Sequence, residues 1–105
     1  MILKINGFEF NDTAEVSIEK VSQPQVGQRV NIFVNNDPSS FDLFESINVE
    51  DEIDFLVEDD GRDILFGGFT VNECNYHFNP RVLRVGMLRG LPVDEGNQDV
   101  EEVIE

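Results

Sequence analysis

The residues from Ile53 to Tyr76 constrain the fold of this chain more than any other stretch. Ile53, Phe55 and Val57 alternate with Asp54 and Glu58, the period-2 pattern of a strand with one buried face. Asp60-Gly61 comes next, and both residue types tolerate the positive φ of a tight hairpin turn. Ile64–Phe66 then returns with β-branched and aromatic side chains suited to a strand. Gly67-Gly68 interrupts that strand, and a glycine pair at such a place marks a bulge or a sharp bend. Phe69, Val71 and Tyr76 carry the strand onward. The pattern predicts a long bent hairpin that folds a sheet over itself. The fold class is therefore mainly β, a small bent-hairpin (split) β-barrel.

The flanking segments supply the other strands. Ile2–Ile5 and Phe8–Phe10 surround Asn6-Gly7, a strong local hairpin signal. Leu3, Ile5, Phe8 and Phe10 share one face of that ribbon. It either packs on the barrel or projects as an arm, and in the second case Phe8 and Phe10 are candidate partner contacts. Ala14–Val21 alternates, with Val16 and Ile18 inward. Pro24 stops regular pairing because it lacks a ladder N–H, and Gly27 follows as a bend. Val30, Ile32 and Val34 mark the next strand, and Asn35–Ser40 reads as a loop. Phe41, Phe44 and Ile47 recur every third residue, which predicts one helical turn capped by Ser40 that plugs one barrel end with phenylalanine. Asn79-Pro80 makes a turn before a final strand, Arg81–Arg89, with Leu83, Val85 and Met87 on one face. Arg84 and Arg89 serve as counter-charges to the acidic strands. The predicted core includes Phe55, Val57, Phe66, Phe69, Val85 and Met87.

A chain of 105 residues makes one domain with a core of its own, here rich in its nine phenylalanines. Residues 1–93 form the barrel and residues 94–105 an acidic tail. The single Cys74 excludes an intramolecular disulfide and suits a reducing cytoplasm. No apolar run approaches the ~20 residues of a membrane span, and MILKINGFEF lacks a signal-peptide pattern. The chain carries 22 acidic against 7 basic residues, formally −15. Phosphate contacts need local cations, so nucleic-acid binding is not expected. Such acidity keeps a protein soluble, suits a basic protein partner, or mimics nucleic acid toward a DNA-binding protein.

Motifs for chemistry fail on inspection. Counting back from Gly61, an EF-hand would need ligands at Asp60, Glu58 and Leu56, and Leu56 cannot serve. Only an irregular divalent-ion site within Glu50–Asp63 stays open. His77 is the only histidine, and its spacing of three from Cys74 puts the two on opposite faces of a strand. There is no phosphate-cradling glycine loop and no Gly-x-Ser-x-Gly elbow. No enzyme activity and no cofactor are expected.

The order of features resembles the small β-barrel domain of phage tail hub and tail-tip (baseplate) structural proteins. The segments that carry it are Gln23-Pro24-Gln25-Val26-Gly27-Gln28, Ile47-Asn48-Val49-Glu50-Asp51-Glu52-Ile53, Ile64-Leu65-Phe66-Gly67-Gly68-Phe69 and the closing run from Leu83 to Asp94. In that family a Gly-Asp-x-Val strand start, a Phe-x-Gly-hydrophobic strand and a terminal Val-x-Gly-x-x-Arg recur in this order. Glu50 stands where the family often has glycine, and hub proteins are several times longer. The resemblance implies a free-standing tail, baseplate or adaptor subunit in a virion, assembled in the host cytoplasm. Its partners would be other tail proteins with basic surfaces, in a homo-oligomeric ring or a hetero-assembly. The closing strand also resembles small head–tail completion proteins. Readings from other classes are an acidic nucleic-acid mimic that inhibits a host protein and a sugar- or protein-binding barrel module.

The last residues form a separate signal. Asp99 can cap a helix, with Glu102 three residues later as in a capping box. Val100, Val103 and Ile104 fall on one helical face, with Glu101, Glu102 and Glu105 on the other. So short a helix gains order only by packing, since about 12–15 residues are needed in isolation. The expectation is a short C-terminal helix or tail that docks on a neighbouring chain, through Val100, Val103 and Ile104 with Glu101 and Glu102; the alternatives are packing on its own barrel and an extended acidic tail held by lattice contacts.

Overall fold

The computed structural model describes residues 1–22 and 27–90. Seven strands and one helix follow in order: β1 Ile2–Ile5, β2 Phe8–Asn11, β3 Ala14–Val21, β4 Gly27–Asn35, α1 Ser40–Ser46, β5 Glu52–Asp59, β6 Arg62–Phe78 and β7 Arg81–Gly90. All ladders are antiparallel, in one sheet of order β2-β1-β5-β6-β7-β4-β3. The predicted hairpins form at Asn6-Gly7 and Asp60-Gly61, where all four residues take positive φ. Asn79-Pro80 turns the chain from β6 into β7 through a cis peptide bond.

The expected closed barrel is not formed; the sheet is open, with β2 and β3 as its edges. The reason lies at Asp12-Thr13. The Asp12 N–H donates to the Met1 carbonyl beside β1 (3.2 Å), and the Thr13 carbonyl already accepts from Asn35 beside β4 (2.8 Å). The two edges are thus successive segments of one run that changes partner at a single step. β2 pairs only with β1 and β3 only with β4, so a covalent link, and no ladder, joins the two edges.

The sheet curls because β6 carries two irregularities. Its 17 residues pair with β5 through a register shift opposite Ile53–Phe55, and with β7 through a second shift at Val71–Glu73. Each bulge adds a residue, reverses the facing of the side chains beyond it and sharpens the local twist. Ile64 and Phe66, then Phe69 and Val71, then Cys74 and Tyr76 therefore lie on the same face. Gly68 sits in the first bulge at φ +77, a conformation that side chains resist. The second bulge presses on Gly86, where a Cβ would lie 3.2 Å from Asn72 Oδ1 and 3.3 Å from Glu73 Cβ.

Leu3, Ile5 and Phe10 meet Val30, Ile32, Val34, Ile53, Phe55, Val57, Phe69, Val71, Leu83, Val85 and Met87 in one core. Five of the six predicted core residues are buried. Phe66 is half-buried and lies stacked on Phe55 with ring centroids 5.0 Å apart. Ile18 is 40 % exposed, and Val16 is half-buried, because edge strand β3 runs past the core. Helix α1 plugs the core as expected, but with Leu43 and Ile47; Phe41 and Phe44 stay half-buried at its margin. Ser39, not Ser40, is the N-cap, and its side chain makes no capping bond. Asp37 holds that entry: Ser39 N–H and Oγ donate to its carboxylate at 3.0 and 2.8 Å, and Thr13 Oγ1 donates at 2.9 Å.

Phe69→Ala is expected to lower unfolding free energy by about 3–5 kcal/mol in urea titration, whereas half-buried Phe66→Ala should cost clearly less than that range. Equal losses would mean that Phe66 is enclosed as fully as Phe69.

Candidate functional site

Burial sorts the expected contact residues. Phe10 is 0 % exposed and belongs to the chain's own core, so its side chain is closed to a neighbour. Phe8 is half-buried and packs on that core, with its ring 6.4 Å from that of Phe10. The β1–β2 ribbon is therefore an integral edge of the sheet and not a free arm. Val100, Glu101, Glu102, Val103 and Ile104 lie outside the described residues, as do Gln23–Val26 and the tail division at 94–105.

The strongest surface feature is the last third of β6. β5 pairs with β6 only as far as Thr70, with Glu50 and Asp51 adding bonds to Val71. Residues 73–78 pair with β7 alone and Asn72 sits in the bulge, leaving the 72–78 strand edge unpaired among the described residues. Unpaired strand edges are templates for pairing with another chain. One face of this segment carries an aromatic cluster: Tyr76 packs against Phe41 (5.2 Å), Phe44 (5.5 Å) and Phe78 (4.9 Å). Phe78 is 71 % exposed. The cluster is anchored by Tyr76 OH, 3.3 Å from Ser40 Oγ.

The other face of the same segment forms a cleft of about 380 Å³, lined by Phe33, Asn75, His77, Pro80, Val82 and Arg84. The Arg84 guanidinium lies 5.9 Å over the Phe33 ring and its Nη1 pairs with Glu73 at 3.1 Å. Arg84 also borders a second cleft of about 270 Å³ over Gly86, with Glu19, Arg29, Asn31 and Glu73. Sequence reasoning missed both clefts. The signal was legible in Phe33 and Val82, apolar residues at the solvent phase of alternating strands.

Arg84 acts as the predicted counter-charge, but Arg89 pairs with no carboxylate among the described residues. Arg89 turns inward over the Phe69 ring (4.6 Å), donates to the Gly67 carbonyl (2.8 Å) and to Gln28 Oε1. From the opposite strand Asp54 Oδ1 accepts from Gly68 N–H at 2.9 Å. Cys74 packs on the core and burial pushes its thiol pKa up, which disfavours the nucleophilic thiolate. His77 faces the outer cleft, so the strand holds the two apart. Among the described residues no three His, Cys, Asp or Glu side chains converge to hold a metal, within Glu50–Asp63 or elsewhere. No described helix is long and apolar enough to cross a membrane.

Glu50, where the tail-hub proteins it resembles often have glycine, has φ +84. It occupies the third position of a turn closed by Asp51 N–H on Asn48 C=O (3.0 Å), with Asn48 N–H donating to Asp51 Oδ2 (2.9 Å). That position favours glycine. The residues behind the resemblance thus serve backbone geometry: Glu50-Asp51 a turn, Gly67-Gly68 a bulge, Arg89 its clamp. Comparison with family models, with curated proteins and with solved structures finds no match.

Glu50→Gly should stabilise the fold, by up to about 1 kcal/mol, because a left-handed non-glycine residue carries a cost of roughly 1–2 kcal/mol that glycine's chain entropy partly offsets. A loss of stability in chemical unfolding would contradict that turn. For Asp37, burial opposes the charge, but the bonds from Ser39 and Thr13 and the nearby Arg81 charge outweigh it and lower the pKa below 3.8. A depressed carboxylate stabilises the fold above its unfolded pKa, and that contribution fades as pH falls through the folded value. Asp37→Asn should therefore be less stable than the parent at pH 7, with the gap narrowing below about pH 4. A gap unchanged between pH 7 and pH 2.5 would contradict it.

Proposed function

We propose that this chain is a structural subunit of a phage tail or tail-like machine, a small β-rich piece that joins tube, tip or baseplate neighbours. The observation that carries the reading is the unpaired β6 edge at 72–78, with a half-buried aromatic cluster ending in the exposed Phe78 on one side and a cleft on the other. An added strand gains affinity from main-chain hydrogen bonds and specificity from flanking pockets. That surface offers both. The turn at Glu50 and the clamped Gly67-Gly68 bend give a backbone role to the segments that resemble those of tail hub barrels. The acidity, −15 overall, gives such a subunit a preference for basic neighbours and resists uncontrolled self-association.

Antibody labelling of particles purified from the phage or host that encodes the chain tests this directly. Gold at one fixed position on the tail is the expected result; absence of the chain from intact particles would overturn the reading. Binding to the isolated neighbour should weaken at least about tenfold between 50 and 500 mM salt, because screening shortens the Debye length well below its physiological ~8 Å. An affinity indifferent to salt would show an apolar contact in which the acidity takes no part.

A further inference from the structure

The free edge of β6 begins where the chain itself stops pairing with it. Glu50 N–H donates to the Val71 carbonyl (2.7 Å), and Val71 N–H donates to the Asp51 carbonyl (2.8 Å). Those two bonds are the last rung on the β5 side, and the chain before them is a turn that leads back to α1. Beyond that rung the strand is paired with β7 only, and every second residue of an antiparallel pair directs its N–H and C=O away from its partner, here to the open side. The two outer edges of the sheet are blunted by shortness or by charge. β2 has four residues, and β3 exposes Glu15, Glu19 and Lys20. Segment 72–78 holds no lysine and no proline, and its one carboxylate, Glu73, is paired with Arg84 on β7.

A row of unpaired main-chain groups takes an extended strand, and its surroundings select the side chains of that strand. On one face Tyr76 and the exposed Phe78 favour apolar side chains. At the Val71 end stand three consecutive carboxylates, Glu50, Asp51 and Glu52. Asp51 accepts from Asn48 N–H, whereas Glu50 and Glu52 are exposed and enter no ion pair among the described residues. The sequence between Arg29 and Arg62 holds ten acidic residues and no basic one. We propose that a partner protein adds an extended segment to β6 at 72–78 as an antiparallel strand, apolar beside Tyr76 and Phe78 and basic where it reaches Glu50 and Glu52. Antiparallel pairing continues the line of β5, so the basic residues form the C-terminal end of the segment. Charge selects a different chain as its source. Residues 91–105 carry six acidic side chains and no basic one, and a second copy brings a further −15. The inference rests on the assembly reading and gives the partner its chemistry.

Nuclear magnetic resonance on the full chain tests this, with capped peptides as probes. Thr-Val-Thr-Val-Lys-Lys should shift the resonances of residues 72–78 and, in excess, slow exchange of their outward amides at least about tenfold. Thr-Val-Thr-Val-Glu-Glu should do neither. The reversed peptide, Lys-Lys-Val-Thr-Val-Thr, should bind at least about tenfold more weakly, because its charge falls at the Phe78 end. Glu50→Lys with Glu52→Lys, both at exposed positions, should invert the preference between the lysine and glutamate peptides. Phe78→Lys, at a side chain 71 % exposed, should weaken the lysine peptide without unfolding the chain. A lysine peptide that leaves residues 72–78 unchanged, equal binding of the lysine and glutamate peptides, or tighter binding of the reversed one would overturn the proposal. So would slow exchange of the outward amides in the free chain, which would mean that its own residues or a second copy already fill the edge. Particle labelling can still succeed in each of those cases, so failure here is distinguishable from failure of the assembly reading.

Discussion

The fold depends on how two glycines are held in the middle of its longest strand. Gly67-Gly68 lets β6 turn, and groups from strands on either side fix the turn. Asp54 on β5 takes the Gly68 N–H, and Arg89 on β7 gives to the Gly67 carbonyl while lying over the Phe69 ring. Both bonds involve a charged group, which makes them stronger than neutral ones. Phe66 and Phe69 sit on either side of the bend, and both meet Phe55. A straight β6 would put Phe69 and Val71 on the solvent face, since a single-residue slip reverses every later side chain.

The same bend explains how much of the fold was legible in the sequence. Alternation placed every strand, and the Asn6-Gly7, Asp60-Gly61 and Gly67-Gly68 pairs each mark a real turn or bulge. The second bulge, at Asn72-Glu73, has no glycine of its own to announce it; its signature is Gly86 on the partner strand. Closure was not legible either. Whether two edges meet depends on which partners the chain takes on either side of Asp12-Thr13, a long-range choice that a local pattern does not encode. The burial of Phe66 and Ile18 was overestimated for a related reason: alternation gives the side of a strand, not how far the core extends along it.

The surface divides along the same strand. At 72–78 β6 continues past the end of β5, and that overhang creates the free edge, the aromatic cluster and the outer cleft together. A ribbon that looks free to project in the sequence draws weight to Phe10, which is a core residue. Phe33 and Val82 are the better guide, because apolar side chains at the polar phase of two neighbouring strands join in one surface cleft. The residues that prompt the tail-hub resemblance lie elsewhere, at Glu50, Gly68 and Arg89, and work on the backbone. Architecture and binding surface are thus carried by different residues in this chain.

The most direct measurement is a double-mutant cycle between Asp54→Ala and Arg89→Met, read by urea unfolding. The two side chains clamp the same two glycines from different strands. If the bend is held as one unit, their effects should couple by about 0.5 kcal/mol or more, beyond the scatter of about 0.3–0.5 kcal/mol seen for independent sites. Strict additivity, with each variant losing only its own hydrogen bond, would contradict the claim that this bend organises the fold.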